Sequence, residues 1–425
     1  MSDEEKVDAL IVGGGMAGLA CAYLLSKAGK EVVVVERGEA AGAKALTGGR
    51  IYSYSLKKLL GAELFAEAPL ERPIVKEQIC ITHPRGALTI DYMDQSFTEN
   101  IPQSYSVLPS VFNPWLAEKV EENDAIIASG ILVDGLIEKD GCIVGVRMGE
   151  EEMLADVVIA ADGVNSFIAQ QAGLREDLKG QEVAVGVKEI IELPEDVINS
   201  RFGVLNGEGA ARLFLGVVPA GGGFLYTNKT SISLGLVAAP HALAEQDKPL
   251  TEMMQDLKMH PAVYPLIEGG TTVEYGAHLV AEGGYHALPK KLYREGMLVI
   301  GDAAGFCINI GTSIRGMDLA VASGIAAAEA CLESENLAHA GEAYQRKLSE
   351  VILPTMKLYA GYPALMAMPR MYKEYPELAH HMMQAMFTVD GSVPEKLPKT
   401  MLNIVKHDIG FSNLLSDGWK GFKSV

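Results

Sequence analysis

Apolar positions open this chain in two dense runs separated by a glycine cluster. Val7 to Val12 is a short, continuously apolar stretch that predicts a buried strand. The glycines of "VGGGMAGLA" follow it. From Met16 to Ala28 the apolar residues fall at helical spacing, and Gly29 supplies the stop. Glu31 to Val35 is a second apolar strand, closed by Glu36. Strand, glycines, helix and strand in this order predict a βαβ unit of about thirty residues.

Two more apolar runs end in small and acidic residues. "ADVVIAADGVNS" is a strand that stops at Ala161-Asp162-Gly163. "GMLVIGDAAG" is another, running into Gly301-Asp302-Ala303-Ala304-Gly305 ahead of the small-residue helix "GMDLAVASGIAAAEACL". Between these runs the pattern changes. Residues 76–104 and roughly 175–285 alternate with period two, as in "TSISLGLVAA", and predict an inserted antiparallel sheet. Gly221-Gly222-Gly223 has no helix after it and reads as a hairpin turn between strands, so one dinucleotide unit is expected.

From about residue 345 the pattern is helical, broken by Pro354, Pro363, Pro369 and Pro376. Met356, Met366, Met368, Met371, Met382, Met383 and Met386 cluster there. Such a stretch serves ordinary packing, or an adaptable surface for a partner, a quinone or a membrane. The fold class expected is α/β. A dinucleotide-binding Rossmann domain is expected over 1–75, 105–174 and 286–344. A β-rich domain for substrate or partner covers 76–104 and 175–285, and a helical region covers 345–425.

Composition narrows the class. The chain has 425 residues, 48% of them hydrophobic, which suits more than one domain. A formal net charge of −19 repels phosphate backbones and argues against nucleic acid as a partner. The acidic start Met-Ser-Asp-Glu-Glu-Lys is unlike a secretory signal, so a cytoplasmic protein is expected, with contact at the inner face of the membrane left open. Five cysteines, at 21, 80, 142, 307 and 331, form no C-x-x-C pair. A reduced compartment fits, and no iron–sulfur cluster or other metal is expected in this chain.

The spacing of the first motif has a chemical reason. Gly13 permits a tight turn, Gly15 lets the backbone approach a pyrophosphate, and Gly18 lets helix and strand pack closely. Met16 and Ala17 open the helix, whose N–H groups and positive end suit phosphate. Glu36 can accept hydrogen bonds from a ribose, and its charge disfavours a 2′-phosphate. Asp302, at a strand end beside glycines, can hold the ribityl hydroxyls that FAD has and NAD lacks. The plainer role for Asp302 is a helix N-cap.

These residues resemble the FixC-type flavoproteins, relatives of electron-transfer-flavoprotein:quinone oxidoreductase within the wider geranylgeranyl-reductase group. The stretches that carry the likeness are "DALIVGGGMAGLACAYLLSKAGKEVVVVERGEAAGAKALTGGRIY", "VVIAADGVNS" and "GGYHALPKKLYREGMLVIGDAAGFCINIGTSIRGMDLAVASG". The resemblance implies a glutathione-reductase-like FAD domain. It implies that Gly13, Gly15, Gly18, Glu36 and Arg37 hold adenosine and pyrophosphate, and that Lys44, Gly48 and Gly49 pass near the flavin. Asp162 and Gly163, in the "DG" segment that many flavin hydroxylases share, would also lie at the cofactor. Gly301, Asp302 and Gly305 would meet ribityl and pyrophosphate, and Gly311, Gly316 and Met317 would face the N1–C2=O edge of the isoalloxazine. The family often carries Arg and Asp where this chain has Pro109 and Asn113.

The function this implies is an FAD-dependent oxidoreductase passing electrons from an electron-transfer flavoprotein to a quinone or a ferredoxin-like protein. A reductase or hydroxylase of a small or prenyl-like substrate is the alternative, and a non-catalytic flavin-binding subunit is a third reading. No residue is assigned to proton transfer. His260 and His286 are solitary histidines, which are more often structural.

Overall fold

The computed structural model describes residues 6–43, 48–205 and 207–424. The opening pattern forms the strand Lys6–Val12, the helix Met16–Lys27 and the strand Val32–Glu36. All five residues of Val32–Glu36 are buried, as a strand covered on both faces requires.

These strands lie inside an eight-stranded sheet. Its order is Tyr293–Arg294, Met297–Val299, Glu151–Ala160, Lys6–Val12, Val32–Glu36 and Ile126–Ser129. The last five of these run parallel. Cys142–Met148 extends the sheet by antiparallel pairing to Glu151–Ala160, and Gly135–Lys139 pairs antiparallel to Cys142–Met148 in turn. Register sets Val12 beside Val35 and Ala160, and Ala160 beside Val299. The turns after the three strands, at Gly13, Ala161 and Ile300, therefore leave the sheet at one edge. Carboxyl ends of parallel strands are where α/β folds bind ligands.

One close approach ties two of these turns to the helices behind them. A Cβ on Gly324, in the helix Met317–Glu333, would lie 2.4 Å from the Ala17 carbonyl oxygen. A Cβ on Gly301 would lie 2.8 Å from the Ala17 Cβ. The "GIAAAEA" composition is thus a packing requirement: the long helix lies directly on the first one.

A second sheet has seven strands in the order Thr271–Ala281, Val183–Glu192, Ser231–Ala238, Gly221–Thr227, Gly209–Leu215, Ile74–His83 and Gly86–Met93. Two findings correct the period-two reading. Gly209–Leu215 runs parallel to Ile74–His83, so the sheet is mixed. Gly221, Gly222 and Gly223 are strand residues, not a turn, with Gly223 paired to Phe214 on one side and Leu236 on the other. A Cβ at Gly221 would sit 2.0 Å from the Val237 carbonyl oxygen, and one at Gly222 would sit 2.9 Å from that of Phe214. Glycine is needed there because neighbouring backbone comes too close for a side chain.

Beyond residue 340 the chain is helical, in Gly341–Val351, Leu353–Leu358, Tyr362–Met366, Glu374–Phe387, Leu397–Asp408 and Phe411–Ser424. Pro354, Pro363 and Pro376 sit in the first turns of three of them, where a missing N–H costs nothing. Arg370 binds Asp417 through two hydrogen bonds, of 2.6 and 2.8 Å, holding the last helix to this region. Among the described residues no helix is long and apolar enough to cross a membrane.

Candidate functional site

The first turn is built by contacts that only glycine allows. Gly13 has φ +112°, and a Cβ there would lie 2.3 Å from the Ala161 carbonyl oxygen. Its N–H donates to the Val35 carbonyl at 2.8 Å. Gly15 caps the first helix in extended conformation, with no side-chain cap and no acid in the first turn. A Cβ on Gly15 would meet no protein atom within 4 Å. The protein itself has no need of glycine at that position, so the open space above it fits a group brought from outside. An uncapped helix start and an open cradle together match a pyrophosphate.

Glu36 is 7% exposed and ends the second strand. Its Oε2 accepts from the Gly14 N–H at 2.8 Å and its Oε1 from the Gly38 N–H at 2.6 Å. The carboxylate is thereby fixed beside the glycine turn, with acceptor capacity left over for hydroxyls. Arg37 is exposed, and its charge acts on Asp162 and His278 across the turn.

Asp162 and Asp302 stand at the next two strand ends. The Asp162 Oδ2 accepts from the Ile168 N–H at 3.0 Å, while its Oδ1 is buried without a partner. Burial raises the Asp162 carboxyl above its usual range, against the pull of Arg175 and Arg37. Gly163 and Gly305 both have positive φ. Asp302 lies in the short turn Gly301–Ala304, and among the described residues its carboxylate accepts no hydrogen bond and caps no helix. Burial raises this carboxyl too, opposed by Arg175. Arg175 ties the two turns together: its Nη1 donates to the Ser166 hydroxyl at 2.8 Å and the Ala303 carbonyl at 2.7 Å.

Gly48 and Gly49 thread between the second sheet and the long helix. A Cβ on Gly48 would lie 2.2 Å from the Ser233 Oγ, and one on Gly49 would lie 2.6 Å from the Met317 Cε. Lys44 lies outside the described residues. Gly316 caps the helix Met317–Glu333, with open space at its Cβ position. The Gly311 N–H donates to the Asn309 Oδ1 at 2.9 Å, shaping the turn before that helix. The sequence-derived residues therefore gather along one edge of the parallel sheet and the face of the second sheet beside it.

Sequence reasoning missed Arg175, Lys188 and Glu282. The buried Lys188 donates to the Gly48 carbonyl at 2.8 Å and lies 5.3 Å from the Phe224 ring centre. Burial lowers its ammonium to about 8, with Glu274 opposing. A lysine inside the apolar strand "VAVGVKEIIE" was the available signal. Pro109 opens the helix Pro109–Glu121. Asn113 is buried against Gly42, and its Oδ1 has no partner among the described residues.

A cavity of about 410 Å³ opens between the second sheet, the Asn309–Ile314 turn and the C-terminal helices. Leu213, Phe214, the Gly221–Gly223 strand, Gly311 and Met366 are among its walls.

Comparison with known proteins bears on this geometry. Residues 8–107 match the model of FAD dependent oxidoreductases. Residues 183–280 match the ubiquinone-binding model of ETF-QO (electron transfer flavoprotein-quinone oxidoreductase), and 362–425 match the ETF-QO/FixC family C-terminal domain. The chain is 45% identical to Protein FixC of Salmonella typhi over 98% of its length and 99% of that protein's. It is 41% identical to the probable electron transfer flavoprotein-quinone oxidoreductase YdiS of Escherichia coli K12, over 99% of both chains. A solved geranylgeranyl bacteriochlorophyll reductase-like protein from Thermoplasma acidophilum shares the fold, with a TM-score of 0.72 at 18% identity over 97% of this chain and 98% of that one.

Proposed function

Because this chain belongs to the ETF-QO/FixC family of FAD-dependent oxidoreductases, we propose that it takes electrons from an electron-transfer flavoprotein and delivers them to a quinone. The observation that carries the reading is the cavity. It is lined by strands of the segment matching the ubiquinone-binding model, and it opens on the same turn, Asn309 to Ile314, that leads into the long helix. A flat, largely apolar acceptor suits a site of this kind, with few polar groups on its wall.

Bound FAD supplies a carrier that accepts an electron pair from one partner and releases it to another. The chain's own residues hold that carrier. The Gly13–Gly18 turn and the first helix start meet the pyrophosphate, with Met16 and Ala17 contributing backbone. Glu36 would accept from the ribose hydroxyls, and Arg37 would help hold the adenosine and pyrophosphate. Asp302 receives ribityl hydroxyls, with Gly301 and Gly305 allowing close approach. At the start of the helix Met317–Glu333, the positive end and the N–H groups near Gly316 and Met317 would stabilise the flavin's electron-rich edge. Gly48 and Gly49 close the pocket from the side of the second sheet.

In this reading the fold is of the glutathione-reductase-like type. The FAD domain is discontinuous over 1–75, 105–174 and 286–344, the β-rich domain of 76–104 and 175–285 is inserted, and 345–425 is a helical addition. A ferredoxin-like protein is a further acceptor, since no cluster-forming set of cysteines occurs in this chain.

Anaerobic mixing tests the function. Reduced electron-transfer flavoprotein is expected to bleach the bound flavin, and a short-chain ubiquinone is expected to restore its colour. Bleaching by NADH or NADPH alone would transfer the assignment to a reductase or hydroxylase. Asp302→Ala tests the cofactor site. With no side-chain hydrogen bond to lose among the described residues, the variant should fold normally. It should bind FAD roughly tenfold to a hundredfold more weakly, the worth of a hydrogen bond to a charged group. Flavin content equal to wild type after dilution would remove Asp302 from the site.

A further inference from the structure

We propose that Glu282 donates a proton to the acceptor bound in the 410 Å³ cavity, an inference that rests on the quinone reading above. Glu282 follows the strand Thr271–Ala281 directly. Its N–H and that of Gly283 donate to the Glu182 carbonyl at 2.9 and 3.0 Å, so main-chain bonds fix where the side chain starts. Its carboxyl accepts from the Asn309 Nδ2 at 3.0 Å, and among the described residues no lysine or arginine pairs with it. The Asn309 Oδ1 in turn accepts from the Gly311 N–H at 2.9 Å. One amide therefore links Glu282 to the turn that precedes the long helix. Glu282, Asn309 and Gly311 all reach the cavity wall.

Other proton-bearing groups stand near this carboxyl. Cys307, Tyr285 and Tyr359 share a small void with it, and His241 and Tyr372 share the larger cavity. Burial pushes the Cys307 thiol well up, with Glu282 adding to the rise. Tyr372 is pushed up to about 12 by burial and by the same carboxyl. Both hold their protons too tightly at neutral pH. Burial brings Glu282 itself up to about 7, with the Asn309 hydrogen bond opposing. An acid poised there is protonated often enough to donate and acidic enough to transfer.

The chemistry needs such a group. Reduction of a quinone to a quinol consumes two electrons and two protons and forms two O–H bonds. The electrons come from the donor flavoprotein by way of the bound cofactor. Glu282 breaks its own O–H bond and gives that proton to one carbonyl oxygen of the quinone, becoming a carboxylate. Solvent water supplies the second proton and reprotonates Glu282.

Glu282→Gln keeps the shape and a hydrogen-bonding partner for Asn309 but carries no transferable proton. The dithionite-reduced holoenzyme is mixed anaerobically with a short-chain ubiquinone, or with ferricyanide, which takes single electrons without protons. The ratio of the quinone rate to the ferricyanide rate is expected to fall about 10²- to 10⁴-fold in the variant, the usual worth of a positioned acid. Glu282→Asp should recover part of it. In the wild type the quinone rate should decline as pH rises through about 7, because the donor must be protonated, and that limb should vanish in Glu282→Gln. A carboxyl infrared band titrating in the same range should be present in the wild type and missing from the variant. An unchanged rate ratio, or a band that survives the substitution, overturns the role of Glu282 and leaves the quinone reading standing. A wild-type holoenzyme that reduces ferricyanide but never quinone overturns both.

Discussion

Alanine at Gly18 is expected to strip the protein of flavin and lower its melting temperature, whereas alanine at Gly15 should strip the flavin alone. The two positions lie three residues apart in one motif, yet their surroundings differ. A Cβ on Gly18 would lie 2.1 Å from the Gly13 carbonyl oxygen and 3.2 Å from the Ile11 Cγ2. The first of these is backbone, so the turn must move, and the cost should reach about 3 kcal/mol, the upper range for overpacking a filled site. A turn displaced in this way no longer presents its N–H groups to phosphate. At Gly15 the same methyl meets no protein atom within 4 Å, and φ −82° is open to any residue. The apoprotein of Gly15→Ala should therefore melt within roughly a degree of wild type, as a substitution without a structural conflict does. Its affinity for FAD should still drop at least about tenfold, equivalent to 1.4 kcal/mol. Flavin-to-protein absorbance ratios and melts of the two apoproteins separate the cases. Full flavin content in Gly15→Ala would mean that the open cradle above the first helix does not face the pyrophosphate.

That contrast shows what the sequence could reveal. The order of strand, glycines, helix and acid made the first turn readable, because each residue type answers a local demand and the spacing is short. Asp302 was readable in part. Its place after an apolar run suggested either a cap or a ligand, and the structure removes the cap, since its carboxylate reaches no helix N–H among the described residues. Gly221 to Gly223 were misread because a glycine has no side chain to alternate. Their reason lies in the neighbouring strands at Phe214 and Val237, whose closeness no local pattern encodes. The roles of Lys188 and Glu282 were hidden for a related reason. The lysine inside an apolar strand marked Lys188 as unusual, but its partner Gly48 and the Asn309 beside Glu282 are brought there only by the fold.

Arg72 is the extreme case of a residue without a local signal, and replacing it by methionine should give the largest loss of stability. It stands just before the strand Ile74–His83, which pairs in parallel with Gly209–Leu215. Its side chain is 0% exposed. Its Nε donates to the Asn228 carbonyl at 2.6 Å and its Nη2 to the Lys229 carbonyl at 2.9 Å. Its Nη1 donates to the Asn199 Oδ1 at 2.6 Å and the Glu208 carbonyl at 3.0 Å. Glu195, at 3.8 Å, is the nearest opposite charge. One guanidinium thus holds chain segments more than 120 residues away in sequence. Methionine fills much of the volume but leaves four acceptors without their donor, and each unsatisfied buried group costs about 1–3 kcal/mol. Partial entry of water reduces the sum, so a loss of roughly 4 kcal/mol is expected, in line with breaking a buried charged network. The melting temperature should fall on the order of 10 °C at the scaling of domains of 150–250 residues. Arg72→Lys should recover less than half, because a single ammonium cannot reach acceptors spread along a planar fork. Flavin bound before heating should stay near the wild-type ratio, because these contacts belong to the second sheet and not to the glycine turn. A shift below about 3 °C for Arg72→Met would show that water replaces the guanidinium at little cost, and that the joint is held by the strand pairing alone.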